Sequence, residues 1–150
     1  MLLTDLLTLD RIKIPLQATS KDELLRELVA LLGNGSGMDQ EDILRAVRER
    51  EAVLSTGIGY GVAIPHGKSA AVPDLRMAAG RTSGPVDFDA LDGRPVSLFF
   101  LLVGPESAAG PHIKALSRIS RVVRREDVRE QLIAAADRVA FMRALEEAEA

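Results

Sequence analysis

The chain has two histidines and no cysteine, so any nucleophile or acid–base chemistry near neutral pH falls first on His66 and His112. His66 stands near the end of STGIGYGVAIPHGK, Ser55 to Lys68, which holds four glycines. Glycine weakens any helix or strand that it enters, so the run is either a tight turn or a stretch of backbone cleared for a ligand. Pro65 fixes its own φ and forces Ile64 towards extended geometry. The approach to His66 is therefore stiff, and the imidazole is delivered from the end of a short strand. Ser55 and Thr56 place two hydroxyls at the mouth of the run, and the glycine amides beyond them could form an anion nest. Arg50 lies three residues after Val47 and seven after Ile43, on the apolar stripe of an expected helix. There it either snorkels to water or turns its fork inward on an anion. His112 follows Gly110-Pro111 in the first turn of another expected helix, where free amides and the positive dipole end favour an anion. That location also lowers a histidine's pKa and keeps its imidazole neutral.

If the two histidines converge, the assembled groups suit a phosphoryl group carried on an imidazole nitrogen. Phosphoryl transfer needs in-line positioning and charge stabilisation more than covalent machinery, and an activated histidine can be the nucleophile. Other readings remain open at this point. The run could be a plain turn with a passenger histidine, or the histidines could bind a metal with Asp74, Asp87 or Asp89, although HExxH and similar ligand spacings are absent. A Ser-His-Asp hydrolase is weaker, since nothing marks Ser55 as an elbow nucleophile. Gly67-Lys68-Ser69 mimics the tail of a Walker A loop, but Val62 stands where its leading glycine belongs. Gly57-x-Gly59-x-Gly61 has the wrong spacing for a dinucleotide fingerprint, and Pro65 blocks the helix that should follow.

The elements that must position these groups read as alternating helices and strands. Ser20-Lys21-Asp22-Glu23 is a capping box, and Leu24, Leu25, Leu28, Val29, Leu31 and Leu32 follow at helical spacing. Gly33, Gly35 and Gly37 end that helix. Asp39 caps a second helix with Ile43, Leu44 and Val47 on its apolar side, ending near Glu51 to Leu54. Short strands are expected at Val62 to Ile64, at Leu75 to Ala79 closed by Gly80, and marginally at Val86 to Phe88. Val96 to Val103, VSLFFLLV, reads as a strand buried on both faces. Helices follow from Pro111 through Val123, near Asp127 to Ala135, and from the Asp137 cap to Glu149. The whole is an α/β layer structure, expected to form a single domain over residues 1–150.

Composition bounds the function. At 150 residues with 47% hydrophobic and 27% charged, the chain is a globular domain able to bury a core. A net charge of −3 argues against nucleic acid as a partner. The longest apolar run, Val96 to Val103, falls well short of the ~20 residues that a membrane span requires, so no direct membrane insertion is expected. MLLTDLLTLDRIKI has acids among its leucines and no basic n-region, unlike a signal peptide, and a cytoplasmic location is the expectation. Arg118, Arg121, Arg124, Arg125 and Arg129 form a charge run that reads as a solvated helix face or as a docking surface for an acidic partner.

The ordered series Arg50-Glu51, Ser55-Thr56-Gly57-Ile58-Gly59, Gly61, Ala63-Ile64-Pro65-His66-Gly67 resembles the active-site signature of the fructose/mannitol/nitrogen class of enzyme IIA, from the bacterial phosphoenolpyruvate-dependent phosphotransferase system. Pro111-His112-Ile113-x-x-Leu116 is similar to that family's second histidine region. The resemblance covers essentially the whole chain and implies a mixed β-sheet sandwiched by α-helices. It further implies that His66 takes a phosphoryl group from the histidine carrier protein HPr, or from its nitrogen-branch relative, and passes it to a IIB component. His112 would help hold the group, Arg50 would counter its charge, and Ser55 and Thr56 would donate hydrogen bonds. No cofactor or metal is implied. Tyr60 occupies the variable slot among the glycines, where it could narrow the site or shape partner choice. The family includes sugar-transport subunits and nitrogen-branch regulatory proteins whose phosphorylation state controls binding to partner proteins, and both branches keep this site.

Overall fold

The structure, a computed structural model, describes residues 1–33 and 39–150. Its six-stranded mixed sheet comprises β1 (Ile12–Leu16), β2 (Gly57–Gly59), β3 (Val62–Ala63), β4 (His66–Lys68), β5 (Arg76–Val86) and β6 (Val96–Gly104). The strand order is β1-β5-β6-β3-β2, and β4 pairs with β6 beyond the end of β3. Pairing is antiparallel for β5/β6 and β2/β3, and parallel for β1/β5, β3/β6 and β4/β6.

β6 is the hub. The run that reads as a doubly buried strand is one: Leu98, Phe100 and Leu102 face one core, while Phe99, Leu101 and Val103 face another. Alternation sends successive side chains to opposite faces, so each face needs its own apolar cover. α1 (Lys21–Leu31) and α2 (Gln40–Val53) cover the second set with Leu24, Leu28, Ile43 and Val47. α3 (Ala109–Val123), α4 (Glu126–Ala134) and α5 (Arg138–Glu149) cover the first with Ile119, Leu132, Phe141 and Leu145. The sheet is thus sandwiched by helices. Three helix starts carry the expected side-chain caps: Ser20 accepts from Glu23 N, Asp39 from Asp42 N and Asp137 from Ala140 N, filling amides that the first turn leaves unpaired. The expected termination of α1 at Gly35 and Gly37 lies outside the described residues.

Two expectations change. The strands expected at Leu75 to Ala79 and Val86 to Phe88 are largely one element, since β5 runs through Gly80 to Val86 with an irregularity after Arg81. Gly80 does not close the strand. It is where β1 and β5 approach each other too closely for a side chain: a Cβ there would lie 2.4 Å from the Lys13 carbonyl oxygen and 2.9 Å from Leu16 Cγ. β1 itself is hidden in the sequence by Pro15, which is tolerated because this strand lies at the sheet edge.

The arginine run is largely absorbed by the α3–α5 layer. Arg118 Nε donates to Glu149 at 2.6 Å, Arg125 to the Ala148 carbonyl at 3.1 Å, and Arg129 to the Val123 and Arg124 carbonyls at 2.7 and 2.9 Å. The last two bonds satisfy free acceptors at the end of α3. Arg129 also lies 4.6 Å from the centroid of the Tyr60 ring, pinning the turn between β2 and β3 to α4 through a cation–π contact.

Gly80→Ala is expected to cost about 1–3 kcal/mol, the usual penalty of overpacking. The check is urea unfolding, with a lower midpoint at unchanged m-value; an unchanged midpoint would mean that β1 yields freely.

Candidate active site

The two histidines converge. Their ring centroids are 5.7 Å apart with an interplanar angle of 68°, and both line a cleft of about 560 Å³ together with Ala46, Glu49, Arg50, Gly67, Lys68, Ile113 and Leu116. Three elements supply these groups, each with a local reason to be there. β4 carries His66 because its three residues pair in parallel with β6, His66 against Leu102 and Lys68 against Gly104. Being two apart in a strand, His66 and Lys68 share a face. Gly67, between them, faces α2: a Cβ at this position would lie 3.1 Å from Val47 N. The bare glycine lets α2 lie close to β4 and brings Arg50, in its last turn, to the cleft. His112 sits in the first turns of α3, one residue after Pro111, whose missing N–H costs nothing at this point of a helix.

The electrostatics keep both imidazoles neutral. Burial is the main cause of the lowered His66 pKa; the Arg50 charge adds to it, while the bond to Ile64 and the Glu51 charge oppose it. His112 is only 4% exposed. Burial first, then His66 and Lys68, push its pKa down to about 4. His66 Nδ1 lies 2.9 Å from the Ile64 carbonyl oxygen. A carbonyl only accepts, so Nδ1 carries the proton and Nε2 keeps its lone pair. His112 Nδ1 is buried with no hydrogen-bond partner. Arg50 is steadied by donating from Nη1 to the Leu54 carbonyl at 2.8 Å.

Other sequence expectations fare differently. Ser55 and Thr56 do not line the cleft. The Thr56 hydroxyl donates to buried Glu51, while Ser55 Oγ lies 3.5 Å from the Phe88 carbonyl and accepts from Gly57 N at 3.1 Å. In this geometry both hydroxyls serve the loop rather than the cavity. Gly57, Gly59 and Gly61 build the β2–β3 hairpin instead of clearing space around His66. Tyr60, at φ +60°, lines a separate groove with Ile58, Pro85 and Arg94 and does not narrow the cleft. Among the described residues no three His, Cys, Asp or Glu side chains gather closely enough to hold a metal ion, and no helix is long and apolar enough to cross a membrane. Sequence reasoning missed Lys68 as a cleft residue, although its i, i+2 spacing from His66 was available, and passed over Glu51.

A model of the phosphoenolpyruvate-dependent sugar phosphotransferase system EIIA 2 family matches residues 5–148. The chain belongs to this family. As an EIIA protein it is a phosphotransferase component and fits a phosphocarrier role. It is 38% identical over 135 residues to a nitrogen regulatory protein of Bradyrhizobium diazoefficiens, covering 90% of this chain and 88% of that one. It is 35% identical over 128 residues to the fructose-specific EIIA component of Haloferax volcanii, covering 85% and 83%. The crystal structure of the nitrogen regulatory protein IIA-Ntr from Neisseria meningitidis superposes with a TM-score of 0.88 at 38% identity, covering 94% of this chain and 97% of that one. This EIIA therefore has relatives under both kinds of name.

The lowered histidine pKa values have a definite sign. Below the unperturbed histidine pKa of 6.5 the unfolded chain takes up a proton at His112 that the folded chain refuses until about pH 4. The unfolded state then binds more protons, so stability falls as pH drops through this window. The ¹⁵N or ¹³C resonances of His112 are expected to hold steady from pH 8 to 6 and to titrate near 4. Unfolding free energy is expected to decline less steeply between those limits in His112→Asn; equal slopes would contradict the buried neutral imidazole.

Proposed function

We propose that the chain accepts a phosphoryl group on Nε2 of His66 from an HPr-type histidine phosphocarrier, or its nitrogen-branch relative, and hands it to a IIB component. The observation that carries this reading is an imidazole with its Nδ1–H engaged and its Nε2 bare, in a cleft that also holds Arg50, Lys68 and a second neutral imidazole. In the forward step the Nε2 lone pair attacks phosphorus. A new N–P bond forms as the donor's N–P bond breaks, and the donor imidazole leaves with that electron pair. Nδ1–H stays on the Ile64 carbonyl and disperses the positive charge that develops on the ring. Arg50 and Lys68 offer cations to the equatorial oxygens, and His112 packs a second neutral imidazole edge-on beside the His66 ring. Reversal of the same geometry against a second protein completes the relay, which needs no metal or organic cofactor.

Exposed apolar side chains lie near the cleft: Val53 and Leu54 just past Arg50, and Ile113 on its wall. They suit transient contact with a protein partner, which would exclude water while the phosphoryl group is in flight. A cytoplasmic location, where such carriers meet, is part of the proposal. The 38% identity to nitrogen regulatory proteins supports a second use of the same chemistry, in which the added negative charge alters affinity for regulated partner proteins without sugar transport.

Incubation with phosphoenolpyruvate, enzyme I and HPr is expected to add one phosphoryl group, read by intact mass under non-acidic conditions. The adduct should be absent in His66→Ala; persistence of the adduct there would refute the assignment. His112→Ala is expected to accept the group yet discharge it more slowly to a purified IIB. Wild-type failure to discharge to any IIB would favour the regulatory use.

A further inference from the structure

Glu51 follows Arg50 in the last turn of α2 and is 6% exposed. A carboxylate buried this far must have partners, and this one is filled. Both oxygens accept from Thr56 N, at 3.2 and 3.0 Å, the Thr56 hydroxyl donates to Oε1, and Lys21 Nζ lies 3.0 Å from Oε2. Lys21 in turn stands 4.9 Å from the centroid of the Phe88 ring. Stability alone is a poor reason for such an arrangement, because apolar residues of similar volume usually match or exceed a buried ion pair.

What the arrangement does is fix a position. The Thr56 carbonyl accepts from Ile64 N at 2.9 Å, and the Ile64 carbonyl accepts from His66 Nδ1–H at 2.9 Å. Glu51 is therefore connected to the reactive imidazole through the main chain of Thr56 and Ile64, although it lines no part of the cleft. The segment that it clamps also contains Leu54, whose carbonyl anchors Arg50 at 2.8 Å. One buried carboxylate holds both the nucleophile's hydrogen-bond acceptor and the arginine's anchor.

We propose that Glu51 is a positioning residue for phosphoryl transfer: through Thr56 and Ile64 it holds His66 as the Nδ1–H tautomer with Nε2 facing the cleft, and through Leu54 it holds Arg50 beside it. The proposal rests on the reading of His66 as phosphoryl acceptor. Glu51→Gln keeps shape and volume but loses the charge that holds Lys21 and supplies an amide where Thr56 and Lys21 both donate. Two measurements follow, the His66 tautomer from imidazole ¹⁵N shifts in the unphosphorylated protein, and the kinetics of phosphoryl uptake from phospho-HPr. In wild type a single Nδ1–H tautomer is expected, and in Glu51→Gln a tautomer mixture. The kcat of uptake should fall about 10–100-fold, the scale set by misplacing a reacting group, with KM for HPr unchanged to within about two-fold. Glu51→Asp is expected to recover part of the rate.

A Glu51→Gln protein that keeps the pure Nδ1–H tautomer, or whose kcat stays within about two-fold of wild type, overturns the proposal. So does a loss confined to KM. Glu51→Asp keeps the charge but draws the carboxylate back from Thr56. If Glu51→Gln does not fold, Glu51→Asp decides the matter by the same two readouts, with a smaller kcat loss expected and a tautomer and kcat equal to wild type overturning it. If the wild type itself takes no phosphoryl group, the phosphocarrier reading fails, and the tautomer comparison still decides whether Glu51 orients His66.

Discussion

The pairing of β4 with β6 is the contact on which the site depends. β6 is buried on both faces, so its course is set by two apolar cores at once, and β4 is a three-residue strand laid against its end. A segment so short has little hydrogen-bonding of its own. Its orientation is imposed by β6 on one side and by α2 on the other, where a Cβ at position 67 would lie 3.1 Å from Val47 N. His66 therefore inherits its position from the strand that both cores grip. The same end of β6 leads through Gly104 and the 3-10 turn Glu106–Ala108 into α3, which brings His112 to the opposite wall. Two residues 46 positions apart meet because both are tied to one end of one strand.

That placement has an electrostatic consequence. An imidazole at the edge of an apolar core loses hydration, and its cationic form loses more than its neutral form. Both histidines are held neutral in this way, and a neutral ring is the form that can share a lone pair with phosphorus. The cations of the cleft, Arg50 and Lys68, come from the last turn of α2 and from the same face of β4 as His66. Burial is deepest at His112, while His66 and Arg50 are half-buried and Lys68 is exposed. Removing water from the rings costs stability below pH 6.5, and the two cores flanking β6 must supply the surplus that permits it.

Much of this was legible in the sequence, for identifiable reasons. The caps at Ser20, Asp39 and Asp137, the period of the helices and the unbroken apolar run of β6 are local signals, and each element formed where its residues said it would. Gly80 reads as a stop because glycine commonly punctuates a strand; its real constraint is the Lys13 carbonyl, 67 residues earlier, which no local pattern encodes. β1 was lost because Pro15 masks a strand unless its edge position is known. The histidines and Arg50 were identified by type and spacing, but the direction of the Ser55 and Thr56 hydroxyls was not. Those depend on Phe88, 33 residues away, and on whether Glu51 turns inward or outward at the end of α2. A charged residue in a helix read as amphipathic is assumed to face water, and here that assumption hid the residue holding the loop.

The same assumption misleads for the arginines in the opposite direction. A run of five within twelve positions looks like a surface waiting for an acidic partner, yet Arg118, Arg125 and Arg129 are spent on Glu149, on the Ala148 carbonyl and on the end of α3. Guanidinium is well suited to that work because its fork reaches several carbonyls at once and never loses its charge. Arg50 does both jobs: Nη1 is bound to the Leu54 carbonyl, and the rest of the group remains on the cleft. A guanidinium anchored at one nitrogen loses less freedom on meeting an anion than an unanchored one, so more of its Coulombic attraction survives as net binding. Counting positive charges would have pointed to α3; asking which guanidinium is anchored yet still open points to Arg50.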